Sequence, residues 1–403
     1  MRSTTSWAPN SVVLATAVFV ALSVATTGMV RGSGRQIIDT PRYERYAEAM
    51  QAGLVPYRDF DFEYPPGALL VFLLPELAAG GGGYFWAFAA LMAVAGAIGL
   101  ILSAAVLRRL ARPREVSRRL ALLALSPVVF GGVLLTRFDL VPAMLVAGAT
   151  LLLLMGRPRF ASLVIGVAVA VKLYPLVLVP LVAGWSWRRQ GRWEAVVCCG
   201  LAAGVVALAY LPFVLLAPGD VASSIWDQIS RPLQIESLGA GVLLLLHHAL
   251  GVDVGIETKD GSQNLTGATA VGLAFTLSAA TIAALCWLWM RFARSETTPE
   301  RLVTYCAAVL VALVAFGKVL SPQFLVWLLF PLAVVVGKRG AAAGACFAVA
   351  AVATAVWFPW LYFDLAREGD PVVAGLIVLR GLALVTALAV LVWPSGARHP
   401  TAQ

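Results

Sequence analysis

Six acidic residues lie in the stretch from residue 39 to residue 66, although charged residues make up only 13% of this 403-residue chain. They are Asp39, Glu44, Glu48, Asp59, Asp61 and Glu63. Asp39 follows a long apolar run and precedes a predicted short helix, PRYERYAEAMQ. A carboxylate held at a bilayer surface can take a proton from a hydroxyl group, a step that accelerates a reaction about 10²–10⁴-fold. We therefore predict that Asp39 is a catalytic base.

An alternative role for Asp39 is structural. Its side chain could accept a hydrogen bond as the N-cap of the short helix. Thr40, which directly precedes Pro41, is the better N-cap by position. This makes the catalytic interpretation of Asp39 the sharper of the two.

Further polar residues recur at turns between apolar runs. Charged side chains at the ends of membrane spans are costly unless they are paired or wet, so we predict that they line one shared cavity. Several of them are cationic, which suits an anionic ligand such as a lipid-linked phosphate. The predicted binding residues are Arg58, Glu63, Tyr64, Arg137, Asp139, Lys172, Tyr174, Arg231, Gln234, Glu236, Lys318, Ser321 and Gln323.

Each of these groups also has a structural interpretation. Arg137 and Asp139 could simply pair with each other at a helix end, and Lys172 could extend from the membrane to its surface. Tyr64-Pro65-Pro66 could mark only the first turn of an amphipathic helix. Lys318 could be an interfacial residue without a ligand. The coincidence of all of them at turns of one predicted face favours the shared cavity.

The composition places these residues in a membrane protein. The chain is 60% apolar with a mean hydropathy of +0.87, and apolar runs of about 20 residues recur along its length. The fold class is therefore all-α, a polytopic helical membrane protein. The formal charge of +9 comes mostly from arginines in short loops between the apolar runs, which indicates cytoplasmic loops and argues against a nucleic-acid partner.

With the basic loops inside, the chain forms one domain over residues 1–403 with about twelve crossings. The polar segments 31–78 and 217–267 then lie outside the cytoplasmic membrane, and the second contains a predicted re-entrant segment at 238–251. Residues 160–187 are too short for two full spans, so we predict two short helices that meet at Lys172-Leu173-Tyr174-Pro175. Irregular backbone at membrane depth is tolerated inside protein or along a wet cavity, so this break is expected to line the cavity.

Metal and cofactor signals are weak. The five cysteines lie inside apolar runs, and His247 and His248 are adjacent, which points their side chains about 100° apart on a helix. Phosphate-binding loops and the zinc motif HExxH are absent from the sequence. We expect no metal and no cofactor.

The order of several short motifs resembles glycosyltransferase family 87, an actinobacterial group of polyprenol-phosphate-mannose-dependent mannosyltransferases with the GT-C fold. The similarity begins with Asp39, Tyr43 and Tyr46 and continues through PYRDF at 56–60 and EYPP at 63–66. Later matches are RFDL at 137–140, KLYP at 172–175, Arg231 with Gln234 and Glu236, and SPQ at 321–323 after Lys318. Together they extend over about residues 35–335.

The resemblance implies inverting transfer of a sugar, with mannose expected, from a polyprenyl phosphate to a glycolipid or glycan acceptor at the extracytoplasmic face. Family members of the GT-C type use an acidic residue of the first outer loop as base, a position that Asp39 matches. The expected partners are the lipid-linked donor, the acceptor and membrane lipids. Alternatives are transfer of another lipid-linked sugar such as arabinofuranose, a transporter or flippase of envelope lipids, and a non-catalytic scaffold.

Overall fold

The structure is a computed structural model that describes residues 10–33, 37–79, 82–259 and 261–393. Its first part contains both long apolar helices and short ones, and the acidic stretch lies in α2 and in the loop that follows it. The helices are α1 (Asn10–Gly32), α2 (Thr40–Gln51), α3 (Ala68–Ala79), α4 (Tyr84–Leu110), α5 (Pro113–Phe130), α6 (Val133–Thr136) and α7 (Leu140–Leu154).

The predicted break after residue 171 is present. Lys172 has extended backbone angles (φ −155°, ψ 137°), and a 3-10 turn at Tyr174–Leu178 separates the helices on either side. This segment contains α8 (Pro158–Val171), α9 (Val179–Gln190), α10 (Arg192–Leu216) and α11 (Pro218–Ser230).

A glycine from the EYPPG segment satisfies one of the carbonyls that the break frees. The backbone N–H of Gly67 donates to the carbonyl of Ala170 at 2.7 Å. A Cβ on Gly67 would lie 2.6 Å from that carbonyl oxygen, so a larger residue cannot make this approach without displacing backbone. The contact joins the start of α3 to the end of α8 and keeps a buried polar group paired.

The predicted outer segment at 217–267 contains a small antiparallel sheet that the sequence did not reveal. Its strands are β1 (Leu233–Gln234), β2 (Gly255–Lys259) and β3 (Ser262–Thr266), in the order β1-β3-β2. Between β1 and β2 lies α12 (Leu238–Leu250), whose first turn is capped by Ser237 Oγ accepting from the Ala240 N–H at 3.2 Å. A sheet of two-residue and five-residue strands leaves little periodic pattern to detect.

The last part of the chain returns to long helices. A 3-10 turn at Pro322–Leu325 leads into the short helix α15, and the Asp370 carboxylate caps α18 through the Val372 and Val373 N–H groups. The helices are α13 (Ala268–Arg294), α14 (Pro299–Phe316), α15 (Val326–Ala333), α16 (Gly337–Trp357), α17 (Tyr362–Glu368) and α18 (Pro371–Val392). Helix α14 is enclosed by its neighbours and forms the centre of the bundle.

The predicted number of about twelve crossings is not confirmed. Within the described residues, seven helices are long and apolar enough to cross a membrane: α1, α4, α10, α13, α14, α16 and α18. Others that were predicted to cross are short or broken, since α8 and α15 have only 14 and 8 residues. The first turns of α5 carry four charged residues, so the apolar part of this helix is shorter than a full membrane span requires.

Candidate functional site

A polar cavity of about 260 Å³ lies where the irregular segments meet. Its walls come from the start of α2, the EYPP segment, the break after α8, the strand β1 and the turn before α15. Eleven of the fourteen predicted site residues line it, namely Asp39, Glu63, Tyr64, Arg137, Lys172, Tyr174, Arg231, Gln234, Glu236, Ser321 and Gln323. The predicted shared cavity therefore exists, and Asp139 lies directly behind its wall.

Asp39 stands at the first turn of α2 but does not cap it. Its side chain makes no capping hydrogen bond, and its Oδ2 atom instead forms an ion pair with Arg137 Nη1. The Tyr43 hydroxyl donates to the same Oδ2 at 3.3 Å. Thr40 is not the cap either, because its hydroxyl donates to the Thr136 carbonyl at 3.4 Å and so ties α2 to α6. The capping alternative for Asp39 is wrong.

Arg137 is buried and is held by two groups from the chain that precedes α2. One terminal nitrogen pairs with Asp39, and the other donates to the Ile37 carbonyl at 2.9 Å. The alternative in which Arg137 pairs with Asp139 is therefore wrong, since the guanidinium is directed to the Asp39 side of the cavity. This arrangement holds the predicted base in one orientation.

Asp139 pairs with Lys172 instead. Lys172 Nζ lies 2.6 Å from Asp139 Oδ1, and the indole N–H of Trp327 donates to the same oxygen at 2.5 Å. The Lys172 side chain is only 15% exposed, so it does not extend to the membrane surface as the alternative required. Tyr174 stacks on Trp327 with ring centres 4.2 Å apart and thereby completes an aromatic wall beside this pair.

Glu236, Gln234 and Ser321 form a hydrogen-bonded cluster on another wall. Gln234 Nε2 donates to Glu236 Oε2 at 2.7 Å and approaches Ser321 Oγ at 2.9 Å, and the Ser321 hydroxyl lies 3.3 Å from the same carboxylate oxygen. Burial raises the pKa of Glu236 from its ordinary value of 4.5 to about 7, although nearby arginines oppose this shift. Glu236 can therefore hold or release a proton near neutral pH.

Arg380 supports this cluster and was missed in the sequence. It lies on α18, is fully buried, and donates to the backbone carbonyl of Glu236 while its guanidinium lies over the Trp357 ring at 5.7 Å. A single arginine in the middle of an apolar run is the signal that could have identified it, because such a charge is rarely left in a membrane without a partner.

Arg231 differs from the other arginines of the cavity because it has no carboxylate partner among the described residues. Its Nη2 donates to the Ser262 hydroxyl at 2.9 Å, and its buried Nε has no hydrogen-bond partner. Lys318 lies nearby, outside the cavity lining, and donates to the Ile229 carbonyl at 2.9 Å. Burial and the charge of Arg231 lower the pKa of Lys318. Arg231 is thus the best placed cation for an anionic ligand.

Glu63 and Tyr64 are held by neighbours within the first predicted outer segment. Glu63 pairs with Arg42, a second residue that the sequence did not single out, at 2.6 Å. Tyr64 packs edge-on against Phe138 with ring centres 5.0 Å apart. Arg42 was overlooked because α2 contains several other charged residues. The sequence does not show which of them pairs with a residue outside the helix.

Arg58 is not part of the cavity. It is exposed and pairs with the adjacent Asp59 at 2.9 Å, while Asp59 also accepts the Val55 N–H at 2.7 Å. The Arg58 guanidinium and this N–H lower the pKa of Asp59 to about 2. These contacts stabilise the turn that contains PYRDF, and they place Arg58 in that turn and not against a bound ligand.

Neither histidine of the adjacent pair contributes to the cavity. His247 Nδ1 lies 2.7 Å from the Val252 carbonyl and His248 Nε2 lies 2.9 Å from the Gly369 carbonyl. No group of three or more His, Cys, Asp or Glu side chains within the described ranges is arranged to hold a metal ion.

In chemical terms the lining of the cavity offers both a carboxylate and a cation without a carboxylate partner. Asp39 Oδ2 already accepts from Arg137 and Tyr43, so Oδ1 is the oxygen available to a hydroxyl group. Arg231 lines the same cavity and has no carboxylate partner among the described residues, so its guanidinium can pair with an anion. A hydroxyl nucleophile and a phosphorylated leaving group would both find partners here.

Comparison with known proteins identifies one family, and solved structures with a similar fold. The model of glycosyltransferase family 87 matches residues 62–322, nearly two thirds of the chain. Asp39 and Arg58 precede this segment and Gln323 directly follows it. No curated protein matches the chain.

The chain is similar to ArnT from Cupriavidus metallidurans, whose crystal structure contains undecaprenyl phosphate. The TM-score is 0.53 at 16% identity, and the match covers 95% of this chain and 77% of that chain. The fold is thus shared, although the identity is too low to carry residue roles. An oligosaccharyltransferase from Archaeoglobus fulgidus, solved with a tethered acceptor peptide, matches with a TM-score of 0.42 at 14% identity over 95% of this chain and 54% of that chain.

Proposed function

We propose, from the premise that this chain belongs to glycosyltransferase family 87, that it transfers mannose from a polyprenyl phosphate to a hydroxyl group of a glycolipid or glycan acceptor. The observation that carries this proposal is the presence of the Asp39 carboxylate and the carboxylate-free Arg231 on the walls of one cavity. These are the two groups that a direct displacement of a phosphate by a hydroxyl requires.

The reaction assigns a role to each wall. Asp39 Oδ1 takes the proton of the acceptor hydroxyl as the oxygen attacks the anomeric carbon of the donor sugar. The bond between that carbon and the phosphate oxygen breaks, and the polyprenyl phosphate leaves with the bonding electrons. Attack from the side opposite the phosphate inverts the anomeric centre.

Arg231 stabilises the negative charge that develops on the departing phosphate, and Lys318 adds positive charge behind it. Lys172 is already engaged by Asp139, so its contribution is to the shape of the sugar site. The remaining polar groups of the lining, above all Gln234, Glu236 and Gln323, are then available to bind sugar hydroxyls.

The donor assignment rests on the chemistry of a lipid-linked phosphate. ArnT, which shares the fold, was solved with undecaprenyl phosphate. A polar cavity at the end of a bundle of apolar helices lets a phosphate and sugar reach protein groups while a polyprenyl chain stays in the bilayer. The distribution of basic loops in the sequence supports an orientation in which this cavity faces the extracytoplasmic side.

The location of Lys172 and Asp39 also bears on the transporter alternative. A transporter would place such charges along a path with access to both sides of the membrane. Here both residues line one cavity, which favours a site for chemistry. Transfer of another lipid-linked sugar, such as arabinofuranose, uses the same groups and is distinguished by the donor.

The test uses purified protein in lipid, radiolabelled polyprenyl-phosphate-mannose and an acceptor extract of membrane lipids. Wild type is compared with Asp39→Asn and with the matched control Asp61→Asn, an exposed residue outside the cavity. We expect label in a new glycolipid for wild type and the control, and nearly none for Asp39→Asn. Equal transfer by Asp39→Asn contradicts the base assignment, and absence of transfer by all three contradicts the donor.

A further inference from the structure

A second, larger cavity lies between α5, α15 and α16. It has a volume of about 470 Å³ and a lining that is almost entirely apolar. Its walls along α5 extend from Arg118 to Phe130, a distance of about 18 Å at 1.5 Å per helical residue. It is therefore a groove that runs along much of a membrane leaflet.

The groove exists because α16 presents small side chains there. Ala341, Gly344, Ala345 and Ala348 line it. The three alanines are exposed. The facing side of α5 carries Leu122 and Leu125, which are 61% and 53% exposed. In a bundle of membrane-spanning helices, leucines and alanines this exposed on the apolar part of α5 and on α16 favour contact with hydrocarbon over water, so we infer that the occupant of the groove comes from the bilayer.

The only charged groups of the lining stand together at one end. Arg119 is 4% exposed and donates to the Gly340 carbonyl at 3.0 Å, while its buried Nε has no hydrogen-bond partner. Glu115 pairs with Arg119 and accepts the Gly337 N–H at 2.8 Å, so this carboxylate is engaged. Arg118 is exposed and has no carboxylate partner among the described residues.

The surrounding loop makes this end of the groove strongly cationic. Residues 108–119 contain Glu115 as their one acid, and α16 begins with two further basic residues. The basic residues here are Arg108, Arg109, Arg112, Arg114, Arg118, Arg119, Lys338 and Arg339. Such a cluster beside a membrane helix attracts anionic lipids, each Lys or Arg near the surface contributing about 1 kcal/mol or fivefold in affinity.

We propose that this groove binds an anionic membrane phospholipid, with an acyl chain along α5 and α16 and the lipid phosphate against Arg118. The apolar length fits a chain, and the charge at its end complements a phosphate. The site is separate from the polar cavity and does not depend on the proposed glycosyl transfer.

A polyprenyl chain that descends from the polar cavity is the competing occupant. A small cavity of about 20 Å³ lies between the two, and it shares Phe130 with the groove and Phe358 with the polar cavity. A chain from the polar cavity must pass this constriction. A lipid that enters from the bilayer does not, and only the phospholipid accounts for the arginines at the far end.

The test measures lipid binding to purified, delipidated full-length protein by native mass spectrometry, with phosphatidylglycerol and phosphatidylcholine as probes. Ala348→Leu fills the groove, and Ala342→Leu, an exposed position on the same helix outside the lining, is its control. Arg118→Gln removes the proposed phosphate contact, and Arg45→Gln, exposed and outside both the lining and the basic cluster, is the control for charge.

We expect wild type and both controls to prefer phosphatidylglycerol, Arg118→Gln to bind it about fivefold more weakly, and Ala348→Leu to lose the preference. Equal binding of the two phospholipids by wild type overturns the proposal, as does unchanged binding by Ala348→Leu. Displacement of bound phosphatidylglycerol by a polyprenyl phosphate, with loss of polyprenyl binding in Ala348→Leu, assigns the groove to the donor chain and also overturns it.

Discussion

Lys172, which lines the polar cavity, pairs with Asp139 behind the cavity wall, with Nζ 2.6 Å from Oδ1. Their side chains are only 15% and 2% exposed, and the Trp327 indole donates to the same carboxylate oxygen. The pair joins the start of α7 to the break after α8. It therefore fixes the irregular backbone on which this part of the cavity is built.

Removing one partner of this pair is expected to destabilise the folded protein far more than removing both. Lys172→Met leaves the Asp139 carboxylate buried without its cation, which costs about 3–5 kcal/mol. Adding Asp139→Leu removes the buried charge and recovers part of the loss. Thermal unfolding of the purified single and double variants in detergent measures both effects.

The pair of Arg159 and Glu194 provides the comparison, because its cation is in contact with solvent: the Arg159 side chain is 62% exposed and Glu194 13%, with the two groups 2.8 Å apart. Arg159→Gln should destabilise the protein much less than Lys172→Met, because water screens a solvent-exposed ion pair. A loss as large as that of Lys172→Met would mean that burial is not what makes the Lys172 pair important.

Gly67→Ala is expected to destabilise the break. The added Cβ would lie 2.6 Å from the Ala170 carbonyl oxygen, so the backbone must move and the hydrogen bond from the Gly67 N–H lengthens. Overpacking of this kind costs about 1–3 kcal/mol. The melting temperature and the donor affinity should both fall.

Gly200→Ala is the matched glycine control, since it lies in α10 with no atom within 4 Å of an added Cβ. Alanine there should leave the melting temperature unchanged or raise it, because it favours helix. If the two variants unfold at the same temperature, the close approach at Ala170 is not structurally important.

Arg231→Gln should lower kcat/KM for the lipid-linked donor. Loss of a hydrogen bond to a charged group costs about 1.5–3 kcal/mol, which corresponds to about 10–100-fold in kcat/KM for the lipid-linked donor. Arg58→Gln, which removes an exposed arginine outside the cavity, should change kcat/KM little. Steady-state kinetics at fixed acceptor distinguishes the two, and equal losses would contradict the phosphate assignment.

Glu236 should make stability fall as the pH rises. Burial raises its pKa in the folded protein from 4.5 to about 7, so between these values the folded protein holds a proton that the unfolded chain has released. Raising the pH through this window therefore removes stability, at most about 3 kcal/mol. Glu236→Gln has no such proton to lose.

The measurement is the melting temperature of wild type and Glu236→Gln at pH 5, 6, 7 and 8. The advantage of wild type over the variant should shrink with increasing pH. Parallel curves for the two proteins would show that Glu236 is not held in its neutral form.

The sequence alone predicted which residues would gather, because charges are costly next to apolar spans and must share a polar environment. This reasoning found eleven residues of the cavity and the break at Lys172. Its prediction of about twelve crossings is not confirmed, since apolar composition does not distinguish a span from a short buried helix such as α15.

The partners of these residues were decided by the tertiary structure. Arg137 and Asp139 are two residues apart in the chain, yet each pairs with a residue of another segment, Asp39 and Lys172 respectively. Arg42 and Arg380 likewise find their partners in other segments, Arg42 in Glu63 and Arg380 in the backbone carbonyl of Glu236. The cost of an isolated charge is a property of the residue and can be seen in the sequence, whereas its satisfaction depends on distances of a few ångströms between segments far apart in the chain.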